Sequence, residues 1–223
     1  MNKKLFIQAL FKFLLGIVLV GLVIFLPAGT ASFFNGWLFM GVLFIPMLFV
    51  GIVLMCKNPA LLKSRLDAKE ESSEQDLVVK LSGLMFLIGF VVATVGYRLG
   101  WYVLPKGVSV AAAVVFLVSY LLYFEVLREN TYLSRTVKVQ ENQKVVDTGM
   151  YAVVRHPMYS ITLLMFLSMP IILGSVYSFL IFLVYPFIIA KRIRNEEALL
   201  EKELEGYSEY KKKVKYRLIP FIW

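Results

Sequence analysis

Two charged clusters in an otherwise apolar chain hold the residue types able to do chemistry. The first is "RHPMY", Arg155 to Tyr159, which contains His156, the single histidine of the sequence. Proline is favoured at the first position of a helix, so Pro157 predicts a helix start there. The same proline pushes His156 toward an extended conformation. The unpaired N–H groups of the following turn would face the preceding polar loop and favour an anionic group, a carboxylate or a phosphate. The second cluster is "RIRNEE", Arg192 to Glu197. Arg192 and Glu196 are four apart and share a helix face. Each cluster has a plainer account: a snorkelling Arg155, a capping His156, a belt-aromatic Tyr159, and a solvated Arg192–Glu196 ion pair. The clusters open one apolar run and close the next, however, and a hairpin of those two runs would bring them to one interfacial pocket.

The elements that must position them are membrane helices. Of 223 residues, 59% are hydrophobic, and the mean hydropathy is +0.74; soluble domains hold about 45–50% apolar residues. The net charge of +9 sits beside apolar runs, which fits anchoring and orientation rather than nucleic-acid binding. The lone cysteine, Cys56, allows no disulfide framework within the chain. Neither a phosphate-binding glycine loop, a metal-ligand spacing nor a nucleophile elbow is present. The N-terminal apolar stretch is longer than a signal-peptide core and reads as a retained first span.

The expected fold is all-α, a polytopic membrane bundle of about six apolar segments with a helical C-terminal extension on the cytoplasmic side. Residues 5–26, 37–56, 81–97 and 108–127 read as four spans, near the ~20 residues needed to cross a bilayer. Residues 57–80 form an amphipathic loop at the interface. Trp101, Tyr97 and Tyr102 suit an aromatic belt. Residues 158–173 and 175–190 are two shorter runs that Pro170 and Pro186 would kink, read as a tilted hairpin that crosses in preference to a re-entrant one that does not. Asp147-Thr148-Gly149 signals a turn, and Gly206 a helix stop. Ile193, Leu199, Leu200 and Leu204 fall on one face of the extension. The basic, aromatic tail beyond it either lies on anionic lipid or folds over the pocket as a lid. The chain thus divides into N-terminal spans, 1–127, and a functional region, 128–223. Lys and Arg placement puts both termini and both large loops in the cytoplasm.

"TGMYAVVRHPMY", "RIRNEEALL" and "GYSEYKKKVKYRLIPFIW" resemble the isoprenylcysteine carboxyl methyltransferase family and its relatives among membrane phospholipid methyltransferases. The resemblance spans about residues 130–223, with the RHPxY element, the Arg-x-x-x-Glu-Glu element and the Tyr-x-x-Tyr and Arg-Leu-Ile-Pro elements in order. It implies a cytoplasm-facing pocket for S-adenosylmethionine made by the last helices and the tail. Gln140 and the stretch Gln143, Lys144, Val145 and Val146 would line it. Tyr151, His156, Pro157, Met158 and Tyr159 would contact the cofactor, whose carboxylate would suit Arg155 or the helix start at Pro157. Glu196 would bind the cofactor and Arg192 the substrate carboxylate, making these two the expected catalytic pair. One departure stands out: eukaryotic members have a histidine where this chain has Gln143.

The expected activity is methyl transfer from S-adenosylmethionine to a lipophilic or lipidated carboxylate in the membrane, an in-line displacement that depends on positioning and water exclusion. A carboxylate nucleophile is already ionised and needs no general base, so His156 reads as a cofactor contact rather than a base. Three alternatives remain at this stage: a lipid amine N-methyltransferase, an NADPH-dependent membrane reductase of related architecture, and a membrane protein without enzymatic activity. Neither the acceptor's identity nor the oligomeric state is encoded in these patterns.

Overall fold

The computed structural model describes residues 3–66, 73–101, 103–133 and 139–223. The centre of the amphipathic loop (67–72), Tyr102 of the expected belt and residues 134–138 lie outside them. Apart from one isolated bridge between Val103 and Ser175, the described residues fold into helices and turns. In chain order the helices are α1 (Lys3–Ala28), α2 (Phe34–Lys57), α3 (Pro59–Leu66), α4 (Ser73–Arg98), α5 (Lys106–Glu129), α6 (Pro157–Ile172), α7 (Val176–Phe182), α8 (Tyr185–Glu203) and α9 (Tyr207–Lys213). A 3₁₀ turn covers Gly149–Ala152.

Among the described residues five stretches are long and apolar enough to span a bilayer: Lys3–Ala28, Phe34–Lys57, Asp76–Arg98, Lys106–Glu129 and Val176–Glu203. The multi-pass membrane bundle expected from the sequence is therefore present, with differences in its segments. The run expected at 158–173 is α6, whose 16 residues make about 24 Å of helix, shorter than the others. The run expected at 175–190 is divided between α7 and α8. Pro186 is the second residue of α8, in its first turn rather than kinking a continuous helix, because it has no N–H to pair with the preceding turn. Residues 73–80, read as loop, are the first turns of α4: Val78 is buried, and Asp76 and Lys80 pair along the helix at 2.6 Å.

The turns at one end of the bundle are tied by buried polar contacts. Asn35 Nδ2 donates to Ser109 Oγ at 3.1 Å, Ser109 Oγ donates to the Ile171 carbonyl at 3.0 Å, and Leu104 N donates to the Gly174 carbonyl. In hydrocarbon such groups have no water to pair with, so side chains must satisfy them. A large core cluster runs down from there, with Phe86, Phe90, Phe166, Phe182 and Tyr185 in edge and tilted contacts. Gly89 permits the α4–α7 approach, since a Cβ there would lie 2.3 Å from the Phe182 ring. At the opposite end a second cluster joins Leu5, Leu54, Leu61, Leu62 and Leu127. The first turn of α1 and the ends of α2 and α5 meet at that end, and Asn130 ties the Tyr151 turn to it. α1 contributes little to the core and shows most of its apolar side chains outward, as a lipid-facing helix does.

Candidate functional site

The loop that leaves α5 is clasped before it reaches the site. Glu129, at the end of α5, accepts from Thr148 Oγ1 at 2.9 Å and from Met150 N at 3.3 Å. Gly149 lies between these donors with φ +49°, and a Cβ there would meet Glu129 Oε1 at 2.1 Å. Only glycine combines the left-handed backbone with that approach. The turn then presents Tyr151, whose hydroxyl accepts from Asn130 Nδ2 at 3.1 Å.

Pro157 is the first residue of α6, as the sequence predicts, and His156 precedes it at φ −125°. The His156 side chain makes no capping bond. Its ring turns to α8 instead, where Nε2 lies 3.3 Å from Glu197 Oε1. Arg155 Nε donates to the same oxygen at 2.7 Å, and Arg217 Nε donates to Glu197 Oε2 at 2.8 Å. The hairpin of α6 with α7–α8 thus brings the two charged clusters together. One helical position away, Tyr159 donates its hydroxyl to Glu196 Oε2 at 2.5 Å and accepts from Arg192 Nε at 3.0 Å. The rings of His156 and Tyr159 stack at 5.7 Å. Arg192 and Glu196, joined through Tyr159, face a cavity; Glu197, buried behind it, ties the pieces.

The tail closes over this cavity, which decides between the two readings of it. Arg155 Nη1 donates to the Val214 and Lys215 carbonyls at 2.7 and 2.8 Å. The backbone N–H groups of Arg155 and His156 donate to the carbonyls of Tyr216 and Arg217. Tyr210 donates its hydroxyl to the Tyr151 carbonyl at 2.7 Å. Burial pushes the Tyr151, Tyr207 and Tyr210 hydroxyls above their ordinary titration range. Outside, Lys213 pairs with Asp147 at 2.7 Å and holds that carboxyl below its usual range.

Gln143, Lys144, Val145, Val146, Tyr151, Arg155, His156, Met158, Tyr159, Arg192 and Glu196 all line this one cavity. Two expected residues do not. Gln140 folds the loop, receiving no ligand-facing position: its N–H donates to Gln143 Oε1 at 2.9 Å, and its amide donates to the Tyr132 carbonyl. Pro157 is buried at the helix start. Arg155 lines the wall, but its guanidinium is committed to Glu197 and the tail carbonyls, which leaves it poorly suited to a cofactor carboxylate. The remaining wall was not expected as site: Asn130, Tyr132 and Leu133 after α5, Leu199, Leu200 and Leu204 from α8, and Tyr207 and Tyr210 from α9. Its sequence signals were the leucine face of the extension and the Tyr-x-x-Tyr element of the tail. Glu197 was missed because its neighbour Glu196 took the role. Tyr207 lines the cavity, and its hydroxyl is buried with no hydrogen-bond partner among the described residues, so a bound molecule with an acceptor that reaches it would satisfy it.

Fold and site together define a multi-pass helical membrane protein with a pocket of mixed polar and apolar lining at one end of the bundle. Residues 107–205 match the family model for phospholipid methyltransferase. Among solved structures the chain is similar to the eukaryotic intramembrane Ras methyltransferase ICMT, isoprenylcysteine carboxyl methyltransferase. The TM-score is 0.55 at 20% identity, covering 92% of this chain and 74% of that one. A comparison with curated proteins gives no match. The family model and the shared fold agree with the resemblance read from the sequence, and the family segment covers α5 through α8 and the loop between α5 and α6.

Proposed function

We propose that this protein transfers a methyl group from S-adenosylmethionine to a lipophilic carboxylate in the membrane, from a pocket open to the cytoplasm. The observation that carries this reading is the meeting of Arg192, Tyr159 and Glu196 at the cavity that Tyr207 also lines. These residues fit the cofactor: Tyr207, Val145, Val146, Leu199, Leu200 and Leu204 give the cavity apolar and aromatic surface suited to a flat base, and Glu196 offers acceptor oxygens to an amine or a ribose. When bound, the cofactor supplies the electrophilic methyl on its sulfonium. Arg192 then orients the acceptor carboxylate, because a guanidinium fork matches a carboxylate in two parallel bonds. Tyr159 holds Arg192 and Glu196 at fixed separation. The tail, latched through Glu197, excludes water, which favours displacement by a desolvated nucleophile. No side chain needs to take a proton.

The family model favours one second reading, an amine acceptor on a phospholipid headgroup. That acceptor must lose a proton, so its rate would climb with pH, whereas carboxylate methylation would be flat above about pH 6, past the ordinary carboxyl range. Purified protein with methyl-labelled S-adenosylmethionine, offered prenylcysteine analogues, fatty acids and aminophospholipids, tests the proposal. Label in a base-labile ester supports it. Absence of transfer to every acceptor, together with calorimetric binding of NADPH and not of S-adenosylmethionine, would sink it.

A further inference from the structure

The tail keeps an outer surface that closing the pocket leaves unused. Its last turn, residues 217–223, is drawn into a ring: the N–H groups of Arg217, Leu218 and Ile219 all donate to the main-chain oxygen of Trp223, at 2.9–3.1 Å. The Arg217 guanidinium lies over the Trp223 ring at 5.3 Å. Phe221 is held at φ +64° in this turn, a left-handed conformation that bulky residues rarely take. Two apolar side chains are left outside. Phe221 is 87% exposed and Ile222 76%, with Ile219 also exposed. Phe221 meets the Tyr216 ring at 5.3 Å. Single exposed apolar residues are ordinary, but a contiguous exposed patch marks a contact surface.

The fastening of this turn to the bundle says what covers the patch. Leu218 and Trp223 pack into the main core cluster of the membrane helices. Ser160 Oγ, in the first turn of α6, donates to the Leu218 carbonyl. Ser160 and Leu164 are four apart and share a face of α6, and Leu164 is exposed, as a side chain facing lipid is. The tail is thus bound to α6 about 6 Å along the helix from a lipid-facing leucine, at 1.5 Å per residue. That is the layer between headgroups and chains where aromatic and apolar side chains settle. Charge agrees. Lys211 and Lys213 are paired with Glu201 and Asp147, whereas Lys212 and Lys215 are exposed and have no carboxylate partner among the described residues. An anionic leaflet attracts such lysines at the membrane edge.

We infer that the tip of the tail, Phe221 and Ile222 with Ile219, enters the adjoining lipid leaflet and anchors the lid to the membrane, with Lys212 and Lys215 drawing it to anionic headgroups. The tail then has two working faces. Its inner bonds to Glu197, Arg155 and His156 close the pocket, and its outer turn rests in lipid. The inference concerns where the tail sits, so it stands whether or not the pocket transfers methyl groups.

The test places single nitroxide labels on the full-length protein in bilayer nanodiscs, in a Cys56→Ser background that removes the one cysteine. One label goes at Ile222→Cys, one at Leu164→Cys as the lipid reference and one at Glu203→Cys as the water reference. The Ile222 label should collide with oxygen in preference to a water-soluble nickel chelate severalfold more than the Glu203 label does, approaching the Leu164 label. Phosphatidylglycerol in place of phosphatidylcholine should carry it deeper, and Lys212→Gln with Lys215→Gln should abolish that difference. Phe221→Ser with Ile222→Ser should speed amide exchange over residues 214–218 severalfold, while Phe221→Leu, which keeps the apolar surface and loses the ring contact with Tyr216, should not. Circular dichroism and monodisperse elution report that each variant is folded. An Ile222 label as open to nickel as the Glu203 label overturns the insertion. Spin–spin broadening of that label, the mark of a second copy against the tip, overturns it as well. Equal depth in the two lipids overturns the role of the lysines. Unchanged exchange in the folded double-serine variant, or equal acceleration by Phe221→Leu, overturns the anchoring of the lid.

Discussion

Arg155 Nε donates to Glu197 Oε1 at 2.7 Å across 42 residues of sequence, with both side chains 4% exposed. That contact joins the start of α6 to the middle of α8. Through Arg217 on the other carboxylate oxygen it joins both to the tail. Glu197 is therefore the latch of the lid, while Glu196 beside it faces the cavity.

Removing the latch should be costly, because a buried charge pair broken on one side leaves the partner uncompensated, worth about 3–5 kcal/mol. Glu197→Ala should show faster amide exchange over residues 214–218 and at least tenfold weaker S-adenosylmethionine binding. Unchanged exchange in that segment would show that the backbone bonds to Arg155 and His156 hold the tail unaided.

Arg192 and Tyr159 separate orientation from packing. Arg192→Ala should lower turnover about a hundredfold or more with cofactor affinity nearly kept, and Arg192→Lys should recover only part, since an ammonium cannot form the two parallel bonds. Tyr159→Phe removes the hydroxyl between Arg192 and Glu196 and should act in the same direction, more weakly. A full-turnover Arg192→Ala enzyme would remove the substrate role from this residue.

Tyr207 yields an opposed pair of effects. Its hydroxyl is buried and unpaired, so Tyr207→Phe should leave the ligand-free protein as stable or stabilise it by about 1 kcal/mol. The same change should weaken cofactor binding several-fold. Thermal unfolding with and without S-adenosylmethionine reads both, and a variant destabilised without ligand and unaltered with it contradicts the assignment.

The clasp at the end of α5 is sterically exacting. Gly149→Ala adds a Cβ 2.1 Å from Glu129 Oε1 at a φ of +49°, and should cost about 1–3 kcal/mol while weakening the pocket through Tyr151. Adding Glu129→Ala should restore the steric part, leaving the backbone strain. A melting temperature for Gly149→Ala equal to wild type would show that the turn accommodates a side chain.

The tail should respond to alkali rather than to mild acid. Burial raises the Tyr151, Tyr207 and Tyr210 pKa values, so their contribution to docking is complete below the ordinary tyrosine value of about 10 and is lost as pH climbs past it. Asp147 has the opposite sign: its lowered pKa means a contribution present above about pH 4 and lost on acidification. That pair is exposed and adds little. Tyrosinate absorbance should rise together with loss of tail protection above pH 10, and Tyr210→Phe should shift that step. Tail release between pH 6 and 9 would contradict this account.

The sequence by itself determined the class of molecule. Apolar runs long enough to cross a bilayer must become helices there, because hydrocarbon leaves no other partner for the backbone. Local rules also placed the start of α6 at Pro157 and the turn at Gly149, since both depend on backbone preferences of single residues. The grouping of RHPMY with RIRNEE followed from chain reversal between two adjacent runs. The division of labour between Glu196 and Glu197 did not follow, because two adjacent carboxylates differ only in where the helix rotation points them, and packing sets that rotation. The same holds for the tail: its composition suits a lipid surface as well as a lid, and long-range bonds from Arg155 and His156 to its carbonyls decide for the lid. Local preference fixes elements; which side chain meets which partner across tens of residues belongs to tertiary packing.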